Sequence, residues 1–164
     1  MSITLGGTNP AVTSPDGTIQ NTAGAVLQVV NATYNTQGST ASTSPVATGL
    51  SASITPKFST SKILIIMSVA GMLKTSTNSC AGFSIAKNGS VLFRFEDAAG
   101  YTNAANTASA SPATSYLDSP ATTSAITYAL YADVSFGAGP IYWNNYGTTA
   151  GYSASTITLM EIAA

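Results

Sequence analysis

The run Phe83-Ser84-Ile85-Ala86-Lys87-Asn88-Gly89-Ser90-Val91-Leu92-Phe93-Arg94-Phe95 limits what this chain can fold into more than any other segment. Asn-Gly supplies the two consecutive positive φ angles of a type I′ turn, whose twist matches that of two antiparallel strands. Phe83 and Ile85 lead into the turn, and Val91, Phe93 and Phe95 lead out of it. The spacing predicts a hairpin in which Ala86 faces Val91, Ser84 faces Phe93 and Gly82 faces Phe95. Small residues then stand opposite large ones on one face, which is how cross-strand neighbours fit.

Strand periodicity continues on both sides of this hairpin. Ile126, Tyr128, Leu130, Val134 and Phe136 alternate with Thr127, Asp133 and Ser135, the two-residue period of a half-buried strand. No segment has a helical period. The Ala-rich stretch from Ala98 to Ala113 is interrupted by Gly100, Asn103, Asn106 and Pro112 and reads as a loop. Short strands separated by Gly, Pro, Ser and Asn turns predict an all-β, antiparallel β-sandwich, with a jelly roll the favoured version. No fixed-period repeat is present, which argues against a long fibrous shaft.

Residues 1–23 are Thr, Gly, Pro, Asn and Ser with few apolar anchors, so they are expected to form an extended N-terminal arm. Residues 24–164 are expected to form the sandwich. Several of its strands are apolar on both faces. KILIIMSVAGML (62–73) is the strongest case, and AVLQVVNATYN and STITLMEI are milder ones. A strand of that kind must be covered on both sides. The second cover is either a long loop or another subunit, and the candidate subunit-interface residues are Val26, Val30, Ile65, Met67, Met160 and Ile162.

The composition bears on chemistry. Histidine is absent, and the chain has one cysteine, five Lys and Arg, and six Asp and Glu in 164 residues. Ser-His and Cys-His nucleophile pairs and His-based metal sites are therefore excluded. Charged residues are 7% of the chain, against about 25% in typical soluble domains. Lys57, Lys62, Lys74, Lys87 and Arg94 are scattered, so no basic stripe exists to hold phosphates and no nucleic-acid partner is expected. The longest apolar run is too short to span a bilayer, and no membrane partner is expected. Lone Cys80 reads as a small buried core residue.

A glycosidase needs two facing carboxyls about 5 to 10 Å apart. Glu96 and Asp97 are neighbours and point to opposite faces of a strand, so they cannot form that pair together. Asp16, Asp118, Asp133 and Glu161 complete the set, and each reads as a solvated carboxylate. No catalytic residue, metal site or cofactor is predicted, and the chain is not expected to be an enzyme.

The one dense cluster of aromatic and amide side chains is Tyr142, Trp143, Asn144, Asn145 and Tyr146, with Tyr152 nearby. It follows Gly137-Ala138-Gly139-Pro140, a turn signal. Aromatic faces beside amides suit stacking on sugar rings or docking on a protein. Equally, Trp143 and its neighbours can fill the core or a subunit interface, with their polar groups satisfied locally.

GAVLQVVNATYNT as an opening strand, LSASITPKFSTSKILIIMSVAG as a centre, GFSIAKNGSVLFR as a hairpin and STITLMEI as a closing strand together cover about 140 residues. That texture resembles the compact domains of tailed-bacteriophage virion proteins, cyanophage-like ones among them. The resemblance implies a jelly-roll domain, usually trimeric, on the virion exterior, synthesised in the host cytoplasm. It would serve as a capsid decoration (cement) protein or as a short fibre tip that recognises host glycan. In the first case residues 1–23 would fasten a homotrimer to the major capsid protein or another virion protein. The resemblance supplies no catalytic residues.

Overall fold

The computed structural model describes residues 11–13, 19–21, 24–104, 107–145 and 153–164. Among these, eight longer strands build two four-stranded sheets. They are β3 (Val26–Tyr34), β5 (Val46–Ile54), β6 (Lys62–Ser68), β8 (Ser79–Lys87), β9 (Ser90–Thr102), β11 (Ala113–Asp118), β12 (Ile126–Phe136) and β14 (Ser155–Ile162). Six three-residue strands complete the set. They are β1 (Ala11–Thr13), β2 (Ile19–Asn21), β4 (Gly38–Thr40), β7 (Met72–Lys74), β10 (Ala108–Ala110) and β13 (Ile141–Trp143).

The first sheet has the order β11-β6-β14-β3 and the second β5-β12-β8-β9, antiparallel throughout. Counted along the chain, the first long strand pairs with the last (β3 with β14). The second pairs with the seventh (β5 with β12), the third with the sixth (β6 with β11) and the fourth with the fifth (β8 with β9). This nested pairing is a long hairpin ribbon rolled up on itself, and it defines a jelly roll. The ribbon turns back at Asn88 and Gly89, with φ of 49° and 85°, the double positive φ that Asn-Gly predicts.

The core lies between the two sheets. Ile63, Ile65 and Met67 from β6 and Ile157 and Leu159 from β14 meet Leu50, Ile54, Phe83, Ile85, Tyr128 and Leu130, all essentially inaccessible to solvent. Cys80 is buried and free.

Three details depart from simple alternation, each through an irregularity in the ladder. In the hairpin Ala86 pairs with Val91 as predicted, but a shift then sets Ile85 opposite Phe93 and Ser84 opposite Arg94. A break between Val134 and Phe136 turns Phe136 outward, leaving it 59% exposed. A shift at the start of β3 separates Val26, which is exposed, from Val30, which packs against the core. Bulges of this kind reverse the face on which later side chains fall.

The stretch read as a loop, Ala98–Ala113, contains the end of β9, all of β10 and the start of β11. Backbone pairing to β7 and β8 outweighs its weak local preference. Of residues 1–23, only 11–13 and 19–21 are described. Ala11–Thr13 pairs antiparallel with Ile19–Asn21 as a separate two-stranded sheet.

Because successive strands of the ribbon alternate in direction, every second connection falls at the same end. The connections β3–β5, β6–β8, β9–β11 and β12–β14 each contribute one short strand there. These join as a third sheet, in the order β10-β7-β13-β4, that closes one end of the sandwich. We call this the lid. The opposite end holds the Asn88-Gly89 turn, the start of β3 and the end of β14. There the backbones of Gly24 and Ala25 exchange hydrogen bonds with Ala163.

Candidate functional site

The aromatic and amide cluster falls on the lid. β13 pairs with β4 on one side, where Trp143 stands opposite Gly38, and with β7 on the other. Strand alternation turns Ile141 and Trp143 into the core and leaves Tyr142 half-buried. The Trp143 ring lies against Gly38, where a side chain would collide with it. Its indole N–H donates to the carbonyl of Thr48 at 3.1 Å.

Asn144 is completely buried, and its amide is fully used. Nδ2 donates to the carbonyls of Tyr34 (2.9 Å) and Thr36 (3.1 Å). Oδ1 accepts from the Ser155 amide (3.1 Å) and hydroxyl (2.7 Å). Trp143 and Asn144 therefore lock the lid onto the sandwich and offer no platform to a ligand, which corrects the sugar-stacking reading for both. Tyr146 and Tyr152 lie outside the described residues. Asn145 is the exception: it is buried, its backbone N–H donates to the Gly71 carbonyl at 3.0 Å, and its Oδ1 has no hydrogen-bond partner.

The candidate interface residues divide by face. Ile65 and Met67 point into the chain's own core and are not available to a second subunit, and Val30 packs inward. Met160 and Ile162 lie on the outer face of the first sheet, opposite in parity to buried Ile157 and Leu159. The ladder places Leu117 beside Leu64, Leu64 beside Met160 and Met160 beside Val29. An unbroken apolar row thus crosses all four strands. Ile66 adds to it from β6, and Val26 and Ile162 from its edge. Val26, Val29, Ile66 and Leu117 are 42 to 56% exposed. Leu64 and Leu117 were not singled out in sequence, because which face of β6 and β11 looks outward is set by how the two sheets pack.

Three carboxylates expected in solvent are buried, each held by its own partners. Asp118 accepts from Tyr128 Oη (2.6 Å) and Lys87 Nζ (2.8 Å) inside the sandwich. Burial first, then the hydrogen bond to Asp118 and its charge, raise the Tyr128 phenol far above its ordinary pKa. Asp133 faces outward from the second sheet and pairs with Arg94 (2.9 and 3.0 Å). Glu161 accepts from Gln28 Nε2 (2.6 Å) and the backbone amides of Lys57 (2.7 Å) and Phe58 (3.4 Å). Burial alone would raise its pKa, but these hydrogen bonds outweigh burial and hold it below the usual value. Among the described residues, no three His, Cys, Asp or Glu side chains come together as a metal site.

Among the described residues, fold and surface together define a jelly roll with a closed lid at one end and a partly exposed apolar row on the outer face of the first sheet. No protein-family model matches the chain, and no curated protein matches it. Among solved structures it is similar to the VP2 protein of infectious bursal disease virus in the subviral particle. That match has 16% identity and a TM-score of 0.43, over 99% of this chain and 37% of that one. The Gx strain of the same virus gives 16% identity and a TM-score of 0.39, over 100% of this chain and 41% of that one. The chain thus spans about two-fifths of the length of these proteins.

Proposed function

We propose that this protein is a structural subunit of a bacteriophage virion, an exterior decoration protein that assembles as a homotrimer and is fastened to the shell through residues 1–23. The observation that carries this reading is the apolar row Leu117–Leu64–Met160–Val29 on an otherwise complete jelly roll. An apolar row left partly exposed among the described residues, in a chain with so little charge, favours assembly over a solitary life in solution. In this reading the face packs between copies. Gly24 and Ala25, which directly follow residues 1–23 in sequence, are tied to Ala163 at the end opposite the lid. That arrangement leaves one end for attachment and the other for display. Three arms per trimer bind with avidity, so a weak individual contact suffices.

The test is a mixing experiment on particles stripped of the protein, with occupancy read by electron cryo-microscopy. Full-length protein is expected at symmetric shell positions, and protein lacking residues 1–23 is expected to remain a soluble trimer that does not attach. Normal decoration by the truncated protein overturns the role given to the arm, and density confined to the tail overturns the shell location.

A further inference from the structure

We propose that the lid carries a binding site for a neutral saccharide, centred on Asn145. This goes beyond the decoration reading and does not depend on it.

A cavity of about 470 Å³ opens beside Asn145, within the range of small-molecule sites. Leu73 and Ala110 give it an apolar wall, and Thr107, Ser109, Ser111 and Ser153 bring hydroxyls to its surface. The site is held in place by backbone bonds. Asn144 N donates to Ala70 O at 2.9 Å and Asn145 N to Gly71 O at 3.0 Å, which pins the chain after β13 against the cavity wall.

Asn145 is 6% exposed, and its Oδ1 is buried without a donor. Buried polar atoms in folded proteins nearly always have partners, so an orphaned acceptor on a residue that lines the cavity marks a place for a donor.

The lining narrows the ligand class. Among the described residues it contains no ionisable side chain, so a phosphate, carboxylate or ammonium group would lose water without gaining a counter-charge. Nor, among the described residues, does it contain an aromatic ring on which a base could stack. An apolar ligand would leave Oδ1 unmet. What fits is a neutral molecule with several O–H donors and a C–H face for Leu73 and Ala110, as in a pyranose. The hydroxyls of Ser109, Ser111 and Thr107 both donate and accept, so they can meet ring hydroxyls in either sense.

The experiment is an NMR titration of the full chain with neutral methyl glycosides of glucose, galactose, mannose and N-acetylglucosamine. N-acetylneuraminic acid and glucose 6-phosphate serve as charged comparisons. Saturable shifts are expected at the Asn145 side-chain amide and the backbone amides of Gly71 and Ser109 with at least one neutral glycoside. Binding is expected to weaken at least tenfold in Asn145→Leu. Ser109→Trp, at an exposed position on the cavity rim, is expected to abolish it while leaving the fold intact. Absence of saturable shifts with every neutral glycoside overturns the proposal. So do shifts confined to another surface, binding of the charged sugars alone, or undiminished binding by Ser109→Trp. Particle attachment is read separately, so loss of sugar binding leaves the decoration reading standing.

Discussion

Arg94 grips Asp133 with both guanidinium Nη atoms, Nη1 to Oδ1 at 2.9 Å and Nη2 to Oδ2 at 3.0 Å, across the outer face of the second sheet. The pair lies over Gly82, the register partner of Asp133, where a Cβ would collide with the guanidinium. Asp97 also accepts from Arg94 Nε. The hydrogen bond to Asp133 is the largest influence raising the arginine pKa above its ordinary value. The Asp133 side chain is only 3% exposed, and without Arg94 its charge would be stranded.

Arg94→Leu should therefore destabilise the fold by about 2 to 4 kcal/mol, the lower part of the range for breaking a buried pair because Arg94 itself is partly solvated. Gly82→Ala should cost a comparable amount by displacing the guanidinium. Urea denaturation of both variants checks this. A Gly82→Ala protein within about 0.5 kcal/mol of wild type would show that the glycine is not what makes room for the pair.

Glu161 sets an acid limit on stability. Its folded pKa lies below the unfolded value of 4.5. Its contribution is therefore fully present above that unfolded value and is lost as pH falls through the folded pKa. Glu161→Gln should lower stability at neutral pH and flatten the stability profile below about pH 4.5. Thermal melts of both proteins between neutral and acidic pH read the difference; parallel profiles would contradict it.

Met160 and Leu64 sit at the middle of the apolar row. Met160→Lys or Leu64→Glu should leave the monomer folded, since both side chains face out from the first sheet, yet break the proposed assembly. Sedimentation velocity separates the cases. An unchanged sedimentation coefficient in both variants would remove this face from the subunit contact.

Lys74 is completely buried at the lid, where its Nζ donates to the carbonyls of Ser76 (2.9 Å), Thr102 (3.3 Å) and Ala104 (3.2 Å) and to the Thr102 hydroxyl. One ammonium thus ties β7 to the segment after β9. Lys74→Met should cost about 2 kcal/mol by leaving those carbonyls short of a donor. It should also speed hydrogen exchange in β10 ahead of the sandwich core. Uniform exchange across the domain would argue that Lys74 is merely buried.

Trp143→Ala should cost about 3 to 5 kcal/mol, as expected of a large aromatic removed from a core. It should also loosen the lid by freeing the Thr48 carbonyl. A variant with wild-type melting temperature would return Trp143 to the surface.

Local residue pattern fixed the class of fold and the point at which its ribbon turns back. Asn88-Gly89 permits little but a hairpin, and period-two alternation with no helical period leaves antiparallel sheets. The absence of histidine excluded whole families of chemistry before any residue was placed. Tertiary packing settled which face of each strand looks outward. A one-residue bulge near Val26, Leu92 or Phe136 reverses that choice without leaving a local mark, and on unbulged β6 it is the packing of the sheets that made Leu64 surface and Ile65 and Met67 core. It alone decided the fate of the aromatic cluster, because Trp143 is buried through pairing with Gly38, more than 100 residues away in sequence. The same holds for Arg94, Gly82 and Asp133 and for the cavity at Asn145: each joins residues distant along the chain, and proximity of that kind is created only when the ribbon rolls up.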